Sequence, residues 1–425
     1  MPRGFYSIMA AQFFSALADN ALLIVAMGIL RQLEAPPEYE PLLKLFFTLS
    51  YVLLAAFVGA FADSMPKWRV MFITNSIKIV GCLLIVFGVH PLLGYAIVGV
   101  GAAAYSPAKY GILTELLPPE KLVAANGWIE GTTVGSIILG TVLGGALISP
   151  AVSSALLSAD LPGFETGIDT PAEAAILVIA VVYVIAAAFN LRIPDTGAHY
   201  PHQERNPFKL VGEFAHCCVV LWKDRLGQIS LAVTTLFWGA GATLQFIVLE
   251  WAKTKLQMPL NKAAVLQGVV ALGIALGAVL AARFVPLRGA LRVLPFGVAM
   301  GIIVPMMTLV STQAAAYPLL VLVGSLAGFF VVPMNALLQH RGHVLMGAGH
   351  SIAVQNFNEN IGILVMLGLY AYLTYTGASI NRAIVMFGVF VSATMLLVVW
   401  RFMYNQSKGD SLRLIADESD GDGRH

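Results

Sequence analysis

Residues 59–69 read Gly59-Ala-Phe-Ala-Asp63-Ser-Met-Pro-Lys67-Trp-Arg69 and form a short charged stretch between two long apolar runs, 42–62 and 70–89. A membrane-spanning helix needs about 20 mostly apolar residues, and each of these runs has about that length. The stretch therefore predicts a tight turn between two membrane-spanning helices. Its Lys and Arg place the turn on the cytoplasmic side, where membrane proteins concentrate basic residues.

The same pattern recurs along the chain in both directions from this turn. The further apolar runs are 7–30, 92–114, 127–148, 172–191, 226–249, 263–282, 293–310, 317–338, 352–374 and 379–400. Together with the first two they predict an all-α membrane protein with 12 transmembrane helices in two six-helix bundles.

The composition excludes several other classes of protein. Apolar residues make up 58% of the chain and charged residues 11%, whereas a soluble domain has about 25% charged residues. A soluble enzyme is therefore excluded. The net charge of +2 is too balanced for a nucleic-acid partner. The three cysteines, Cys82, Cys217 and Cys218, have no metal or disulfide spacing, so we expect neither metal nor cofactor.

The distribution of basic residues predicts the orientation. With both termini cytoplasmic, 17 of the 25 Lys and Arg residues lie inside, 6 lie outside and 2 lie within helices. The largest outside loop, 149–171, contains no Lys or Arg. Cytoplasmic loops carry the excess of these residues, so we predict that both termini are cytoplasmic.

The longest cytoplasmic segment, 192–225, separates an N-terminal six-helix bundle, 1–191, from a C-terminal six-helix bundle, 226–401. Apolar residues recur at spacings of three and four from Phe208 to Trp222 within this linker, which predicts a short amphipathic helix on the membrane surface. An ordinary domain connector is the alternative. Residues 402–425 are acidic and predict a disordered cytoplasmic tail.

Several motifs resemble those of a known family. The stretch 59–69 is similar to the loop motif of the major facilitator superfamily, although the loop Gly is missing. The fifth predicted helix is rich in glycine, including Gly131 and Gly135. Two further stretches, Ser15-Ala-Leu-Ala-Asp19-Asn20-Ala-Leu-Leu and Ala103-Ala-Tyr-Ser106-Pro107-Ala-Lys109-Tyr110-Gly111, resemble the bacterial lysophospholipid transporter family of that superfamily. The second half has no comparably sharp motif.

The resemblance implies a major facilitator fold in the bacterial inner membrane. It implies uptake of lysophospholipid, typically lysophosphatidylethanolamine, from the outer to the inner leaflet by alternating access between the two bundles. A separate lysophospholipid acyltransferase would then restore the missing chain. The protein is expected to be a monomer whose partners are its lysophospholipid substrate and the lipid bilayer.

Two other functions remain as alternatives. A proton-coupled major facilitator exporter of drugs or other amphiphiles is favoured by the glycine-rich fifth helix. A membrane-bound lipid enzyme is disfavoured, because the sequence contains no His-x4-Asp acyltransferase signature and no Gly-x4-Gly-Lys-Ser/Thr nucleotide-binding motif.

Charged and amide side chains inside the predicted helices are the candidates for substrate binding, because such groups usually face a cavity or a partner. A lysophosphatidylethanolamine head group is a zwitterion, which requires a cation for its phosphate and an acceptor for its ammonium. The candidates are Gln12, Asp19, Asn20, Lys78, Lys109, Tyr110, Trp238, Gln245, Gln355 and Glu359.

Structural roles compete with binding at several of these positions. Asp19 alternatively pairs with a lysine to hold helices together, and Lys78 is equally suited to that role. Lys109 alternatively extends to the cytoplasmic interface. Trp238 and Gln245 are as well suited to helix packing as to lining a cavity.

A second group of residues is predicted to control conformational change. Asp63, Lys67 and Arg69, next to Gly59, are expected to form an interhelical latch. Glycines in the fifth helix are expected to provide a close-packing and sliding surface. The predicted gating residues are Gly59, Asp63, Lys67, Arg69, Glu130, Gly131 and Gly135. For Glu130, extension to the cytoplasmic interface is an equal alternative.

Overall fold

The computed structural model describes residues 1–36, 39–157, 170–198, 202–204, 206–258 and 260–409. Its described residues form α-helices joined by short turns and three 3-10 helices. The α-helices are α1 (Arg3–Gln32), α2 (Tyr39–Leu53), α3 (Ala55–Ala62), α4 (Lys67–Val86), α5 (Pro91–Leu116), α6 (Leu122–Leu147), α7 (Pro150–Leu157), α8 (Pro171–Asn190), α9 (Pro207–Lys223), α10 (Gly227–Thr254), α11 (Leu260–Phe284), α12 (Leu294–Ile303), α13 (Gln313–Met346), α14 (Ala348–Tyr375) and α15 (Ile380–Ser407). The 3-10 helices are Pro119–Lys121, Leu287–Val293 and Val304–Leu309.

The predicted all-α membrane fold class is confirmed. Ten helical segments of the described chain are long and apolar enough to span a membrane, and α2 with α3 gives an eleventh. The remaining predicted span, 352–374, lies in α14, which has 28 residues but carries a polar first half that includes Gln355 and Glu359. The count of twelve and the cytoplasmic termini stay predictions.

The span predicted as one helix over 42–62 is broken. α2 and α3 meet at Leu54 with a bend of 65°. The bent segment is held by packing, because Val58 of α3 forms a small core with Ala104 of α5 and Ala353 of α14. Apolar content alone does not reveal such a bend.

Several predicted helix ends also differ. The run 293–310 is a short α12 between two 3-10 helices, and Pro305, which has no backbone N–H, lies in the second of them. α15 continues to Ser407, past the predicted start of the tail at 402, because the Asn405 side chain donates a hydrogen bond to the Arg225 carbonyl, 3.0 Å away. The rest of the predicted tail, from 410 onward, lies outside the described residues.

Two predicted loops contain helices. α7 lies within the predicted outside loop 149–171, of which 158–169 fall outside the described residues. α9 forms within the linker 192–225, where the sequence predicts an amphipathic helix. Phe208 is 89% exposed on α9.

The chain forms two compact units. The first contains Met1–Leu116, Gly135–Phe214 and Ala348–Ala353, and the second contains Leu117–Val134, Ala215–Gly347 and the described part of Val354–His425. The part of α6 up to Val134 thus belongs to the second unit, although most of the first half of the sequence belongs to the first unit. Conversely, the first residues of α14, Ala348–Ala353, belong to the first unit. The predicted boundaries at 191 and 226 stay predictions.

Each unit has its own closely packed interior. In the first unit α1 and α4 both pack on α8, and an apolar core joins Leu22 and Val25 of α1 to Ile179 of α8. In the second unit α11 packs along α13, where a Cβ atom added to Gly273 would lie 3.0 Å from the Cα of Gly324. Small residues at such positions let membrane helices approach closely.

Candidate functional site

A buried ion pair lies in the middle of the first unit. The Lys78 ammonium of α4 is 2.8 and 2.9 Å from the two carboxylate oxygens of Asp19 of α1, and it donates a further hydrogen bond to the Ser15 hydroxyl at 3.0 Å. The Tyr183 hydroxyl of α8 donates to the same carboxylate at 2.6 Å. The side chain of Lys78 is 2% exposed and that of Asp19 is 17% exposed. The carboxylate is therefore the more accessible end of the pair.

Aromatic rings and an amide surround this ion pair. The Lys78 ammonium lies 5.2 Å from the centre of the Tyr105 ring and 5.6 Å from that of Tyr183, which adds cation–π stabilisation. The Ser15 hydroxyl donates to the Asn75 side-chain oxygen at 2.8 Å. Within the described residues, the Asn75 amide nitrogen and the Tyr105 hydroxyl have no hydrogen-bond partner. The cluster thus combines both charge signs with unused hydrogen-bonding capacity.

The sequence prediction did not include several members of this cluster. Asn75 and Lys78 are three residues apart and therefore share a face of α4, which is a usable signal. Tyr183 lies in the middle of an apolar run, 172–191, and gives no comparable signal. Ser15 is four residues before Asp19 on the same face of α1.

The other predicted substrate residues of the first unit lie on α1 and α5. Gln12 is buried on α1, and the Asn20 amide donates to the Ala16 carbonyl at 2.8 Å. The Lys109 ammonium lies 4.2 Å from the centre of the ring of its neighbour Tyr110. Between the two predicted lysines, Lys78 is the one placed against Asp19.

The predicted substrate residues of the second unit are Gln355 and Glu359 of α14 and Trp238 and Gln245 of α10. The buried Gln355 amide donates to the Asn335 side-chain oxygen of α13 at 3.0 Å and to Glu359 at 2.7 Å. Gln245 is exposed and pairs with Gln267 of α11 at 2.9 Å. The Trp238 ring packs edge-on against Phe237. Asn335 was not among the predicted site residues, although it is two residues after Pro333 inside α13.

Two of the three predicted latch residues, Asp63 and Lys67, form a second charged cluster. The Asp63 carboxylate accepts hydrogen bonds from the backbone nitrogens of Gly349 and His350, at 2.8 and 3.0 Å, and contacts the His350 ring nitrogen Nδ1 at 2.8 Å. The Lys67 ammonium lies 2.6 Å from Asp63 and 3.4 Å from Glu115 of α5. Asp63 therefore provides the side-chain cap of α14, whose own preceding residue, Gly347, supplies none.

The charges around Asp63 keep it ionised. Burial alone would raise its pKa, but the hydrogen bond from His350 and the charge of Lys67 together lower the pKa from 3.8 to about 2. A carboxylate at a helix N-terminus is also favoured by the helix dipole. Gly59 lies beside this contact, since a Cβ atom there would be 3.0 Å from the His350 Cα.

The remaining predicted gating residues are more varied. Arg69 is exposed, with its guanidinium 5.2 Å from the Trp68 ring centre, and Glu130 is buried. Among the described residues, a Cβ atom added to Gly131 would meet nothing within 4 Å, and one added to Gly135 would reach only the Phe13 ring at 3.8 Å.

The close approach of α6 to α1 occurs further along α6. There, Cβ atoms at Gly140 and Gly144 would lie 2.5 and 2.6 Å from the backbone oxygens of Leu17 and Ala21.

The buried ion pair and the capped turn can perform different tasks. Opposite charges inside membrane-spanning helices are suited to binding a polar or zwitterionic ligand. A carboxylate that caps a helix from another part of the chain is suited to holding two elements together. Within the described ranges, no group of three or more His, Cys, Asp or Glu side chains has an arrangement that could hold a metal ion.

The sequence was compared with known families and curated proteins. The family model of the Major Facilitator Superfamily matches residues 8–367. The lysophospholipid transporters LplT of Yersinia enterocolitica serotype O:8 and of Yersinia pestis strain Pestoides F are each 43% identical to the chain over 381 residues. Each alignment covers 89% of this chain and 89% of the relative.

Similar solved structures have much lower sequence identity and show the fold alone. A bacterial homologue of the iron transporter ferroportin has a TM-score of 0.70 at 15% identity and covers 96% of this chain and all of its own. The major facilitator transporter FucP has a TM-score of 0.68 at 15% identity, with 93% and 98% covered. The human organic anion transporter MFSD10 has a TM-score of 0.69 at 16% identity, with 95% and 100% covered.

The family that the motifs of α1, α5 and the 59–69 turn predict is thereby confirmed. The agreement extends over most of the chain and does not depend on the motifs alone. This multi-pass membrane protein belongs to the lysophospholipid transporter LplT family of the major facilitator superfamily.

Proposed function

We propose that the chain transports lysophospholipids, typically lysophosphatidylethanolamine, from the outer to the inner leaflet of the bacterial inner membrane. The observation that carries this proposal is the 43% identity, over 89% of both chains, to transporters named for lysophospholipid. The transport mechanism is alternating access, as in other transporters built from two repeated bundles.

The Asp19–Lys78 pair supports this substrate class by its charge. A zwitterionic head group that enters the cluster places its ammonium on Asp19 and its phosphate on Lys78, so that neither protein charge is left without a partner. Removing one partner of a buried pair is strongly destabilising, and an uncharged ligand that separated the pair would leave both charges unpaired. We therefore propose that the pair selects for a ligand that carries both charges.

Further predicted residues of each unit are proposed as contacts of the ligand. Lys109, whose ammonium lies over the ring of Tyr110, offers a second cation for the phosphate. Gln12 and Asn20 offer amide groups on the same helix as Asp19. In the second unit, we assign Gln355 and Glu359 to the polar part of the ligand, and Trp238 and Gln245 to the lining of its path.

The Asp63 cluster supports the conformational part of the mechanism. We propose that Asp63, Lys67 and Gly59 form a latch, because the carboxylate joins the turn after α3 to the first turn of α14 through three contacts. Arg69, Glu130, Gly131 and Gly135 belong to the same proposed gating group.

The chain is proposed to work with other proteins rather than to perform chemistry. Its curated relatives are named as transporters, so we propose that it is not an enzyme. A separate lysophospholipid acyltransferase would then consume the delivered lipid in the inner leaflet. We propose that the transporter itself acts as a monomer.

Uptake of labelled lysophosphatidylethanolamine into spheroplasts tests the function directly. Cells that express the chain should accumulate the label in the inner leaflet, and cells without the gene should not. A labelled two-chain phosphatidylethanolamine serves as the control, since its head group is the same and only the second chain differs. Equal uptake with and without the gene, or gene-dependent loss of label from loaded cells, would contradict the proposed uptake, and loss abolished by a protonophore would identify an exporter.

A further inference from the structure

A groove on the second unit lies outside the residues used above. It is formed where the start of α10 meets the later turns of α15, and Trp222 of α9 also lines it. Most of its lining is apolar and includes Ile229, Ala232 and Leu397. Leu397 is 64% exposed, whereas Ile229 is 1% exposed. The groove is therefore an open, apolar channel on the surface of the unit.

A fixed guanidinium marks the polar end of this groove. The Nε–H of Arg401 donates to the Gln228 side-chain oxygen at 2.8 Å, and this bond fixes the orientation of the planar guanidinium group. In the part of the chain that the structure describes, the two terminal nitrogens of Arg401 make no hydrogen bond to protein. An arginine held in this way presents paired donors that match the oxygens of a phosphate.

Two more cations lie at the same end of α15. Lys408 directly follows the helix, and its ammonium lies 4.5 Å from the Tyr404 ring centre, while the Arg401 guanidinium lies 5.4 Å from the same ring. The Arg225 guanidinium lies against Gly409, the next residue along the chain. None of these three cations forms an ion pair with a carboxylate of the described residues. Their charge is available to an anion.

Aromatic residues place the groove at a membrane interface. Trp400 stacks on Tyr404, with 6.0 Å between ring centres, and Trp222 lies at the end of α9. Trp and Tyr concentrate where membrane helices meet the lipid head groups. Basic and aromatic side chains thus lie near the C-terminal end of α15, and apolar side chains of α10 and α15 line the rest of the groove.

We infer that this groove binds an anionic two-chain phospholipid. The phosphate is held by Arg401 and Lys408, and an acyl chain follows the apolar channel past Ala232 and Leu397. Basic pockets between membrane helices at the cytoplasmic side bind anionic head groups in the same way, and the orientation predicted from the loops puts this end of α15 in the cytoplasm. The site shares no residue with the Asp19 and Lys78 cluster.

Native mass spectrometry of the purified full chain tests this site with defined lipids. Phosphatidylglycerol should bind, and phosphatidylethanolamine of the same acyl composition should bind at least several-fold more weakly. Arg401→Gln should weaken phosphatidylglycerol binding roughly fivefold, the effect of about one basic residue near a membrane surface. Arg382→Gln removes the same charge from the opposite end of α15 and should leave binding unchanged.

Two further variants separate the groove from general charge attraction. Ala232→Phe keeps every charge but fills the apolar channel, and it should also reduce phosphatidylglycerol binding. A variant that lacks residues 410–425 tests whether the tail, rather than a lipid, occupies the basic end of the groove. The deleted segment contains the acidic residues Asp410, Asp417, Glu418, Asp420 and Asp422. Each variant is first checked for an unchanged thermal unfolding midpoint, and Lys408→Gln replaces Arg401→Gln if the latter unfolds.

The outcomes are distinct. Equal losses in Arg401→Gln and Arg382→Gln, or unchanged binding in Ala232→Phe, would overturn the groove as the site. Phosphatidylglycerol binding only after removal of 410–425 would show that the tail is the occupant, which also overturns the proposal. Because lipid binding is measured without transport, its failure leaves the proposed uptake of lysophospholipid untouched.

Discussion

The Asp63 carboxylate lies 3.0 Å from the backbone nitrogen of His350 and 2.8 Å from its ring nitrogen Nδ1, although the two residues are 287 positions apart in the sequence. The same carboxylate accepts from Gly349 and pairs with Lys67. One side chain therefore caps α14, neutralises a buried lysine and fixes the turn after α3. Loss of its charge removes all three effects at once.

Asp63→Asn should loosen the first turn of α14. The amide keeps the size of the carboxylate but loses the charge that pairs with Lys67 and favours the helix N-terminus. A cysteine introduced at the buried position Ala348 should react several-fold faster with a maleimide in Asp63→Asn than in the unchanged background. Substrate affinity should change less than this reactivity, because Asp63 is not part of the proposed binding site.

Asp195→Asn is the matched control for this experiment. Asp195 is an exposed acid of the same unit, and among the described residues its carboxylate accepts only a local hydrogen bond from Gly197. It should leave the reactivity at position 348 unchanged. Equal reactivity in Asp63→Asn and in the unchanged background would show that Asp63 does not hold α14.

The pH dependence of stability provides a second test of the Asp63 contacts. The pKa of this carboxyl is lowered from 3.8 to about 2. A lowered pKa means that the ionised form stabilises the folded chain above pH 3.8, and that this stabilisation, about 2 kcal/mol, is lost as the pH falls through 2. The thermal unfolding midpoint of the unchanged chain should exceed that of Asp63→Asn at pH 5, and the two should converge between pH 4 and pH 2.

Convergence of the two unfolding midpoints at a pH above 4 would contradict the stabilising role assigned to the Asp63 carboxylate. If the midpoints of the two chains already coincide at pH 5, the carboxylate contributes no net stability through these contacts. Measurement in one detergent and at constant ionic strength keeps the screening of the charges the same across the series.

The turn 59–69 illustrates what the sequence could and could not predict. The sequence predicts Asp63 and Lys67 as members of an interhelical latch, and the apolar runs on each side predict the spans. His350 was not predicted as a partner, because that contact depends on how the bent α3 packs against Ala353 of α14. A bend at Leu54 leaves no mark in a run that is apolar on both sides.

The ion pair in the first unit shows the same limit. Intramembrane charge alone indicates that Asp19 needs a partner, and both Lys78 and Lys109 satisfy that requirement in sequence. The choice is made by the packing of α1 and α4 on α8, which brings Tyr183 to the carboxylate as well. Which glycines of α6 pack against α1 similarly depends on where the two helices approach each other. Gly140 and Gly144 lie at this approach, and Gly131 does not.

The glycines of α6 give a prediction about folding. Gly140→Val adds a Cβ atom that would lie 2.5 Å from the Leu17 carbonyl oxygen, so α1 and α6 must separate. The folded yield and the unfolding midpoint should fall sharply, by an amount typical of overpacking, about 1–3 kcal/mol or more.

Gly131→Val is the matched control on the same helix. A Cβ atom at Gly131 would meet no atom of the described residues within 4 Å beyond its own stretch of helix, so Gly131→Val should fold at close to the normal yield. Equal folding of both variants would mean that α6 does not approach α1 as described.

Membrane topology is tested by labelling single cysteines in intact spheroplasts. Ser154→Cys on the exposed face of α7 should react with an impermeant thiol reagent, because loop 149–171 is predicted to lie outside. Phe208→Cys on α9 should be protected until the membrane is permeabilised. The native cysteines are first replaced by alanine, although burial already raises the pKa of Cys218 to about 11 and slows its reaction. The opposite labelling pattern would reverse the orientation and the proposed direction of transport.

The Asp19–Lys78 pair provides the strongest test of the binding site. Asp19→Asn or Lys78→Met alone leaves one buried charge unpaired, at a cost of about 3–5 kcal/mol. Each single variant should therefore lose both uptake and folded protein. The double variant leaves no unpaired charge, so it should recover the folded yield.

The exposed pair of Arg31 and Glu40 is the control for stability. Its closest approach is 2.6 Å, but the arginine side chain is 71% exposed, so Glu40→Gln should change stability by no more than about 1 kcal/mol.

Uptake by the double variant then separates a structural pair from a binding pair. A pair that only holds α1 and α4 together can be replaced by two neutral side chains without loss of transport. A pair that binds the ammonium and phosphate of a zwitterion cannot be replaced in this way, because the neutral variant offers neither charge to the ligand. We therefore expect the double variant to fold and to transport nothing, measured as labelled lysophosphatidylethanolamine taken up per folded molecule. Uptake near the normal level in that variant would remove Asp19 and Lys78 from the binding site and leave them a structural role.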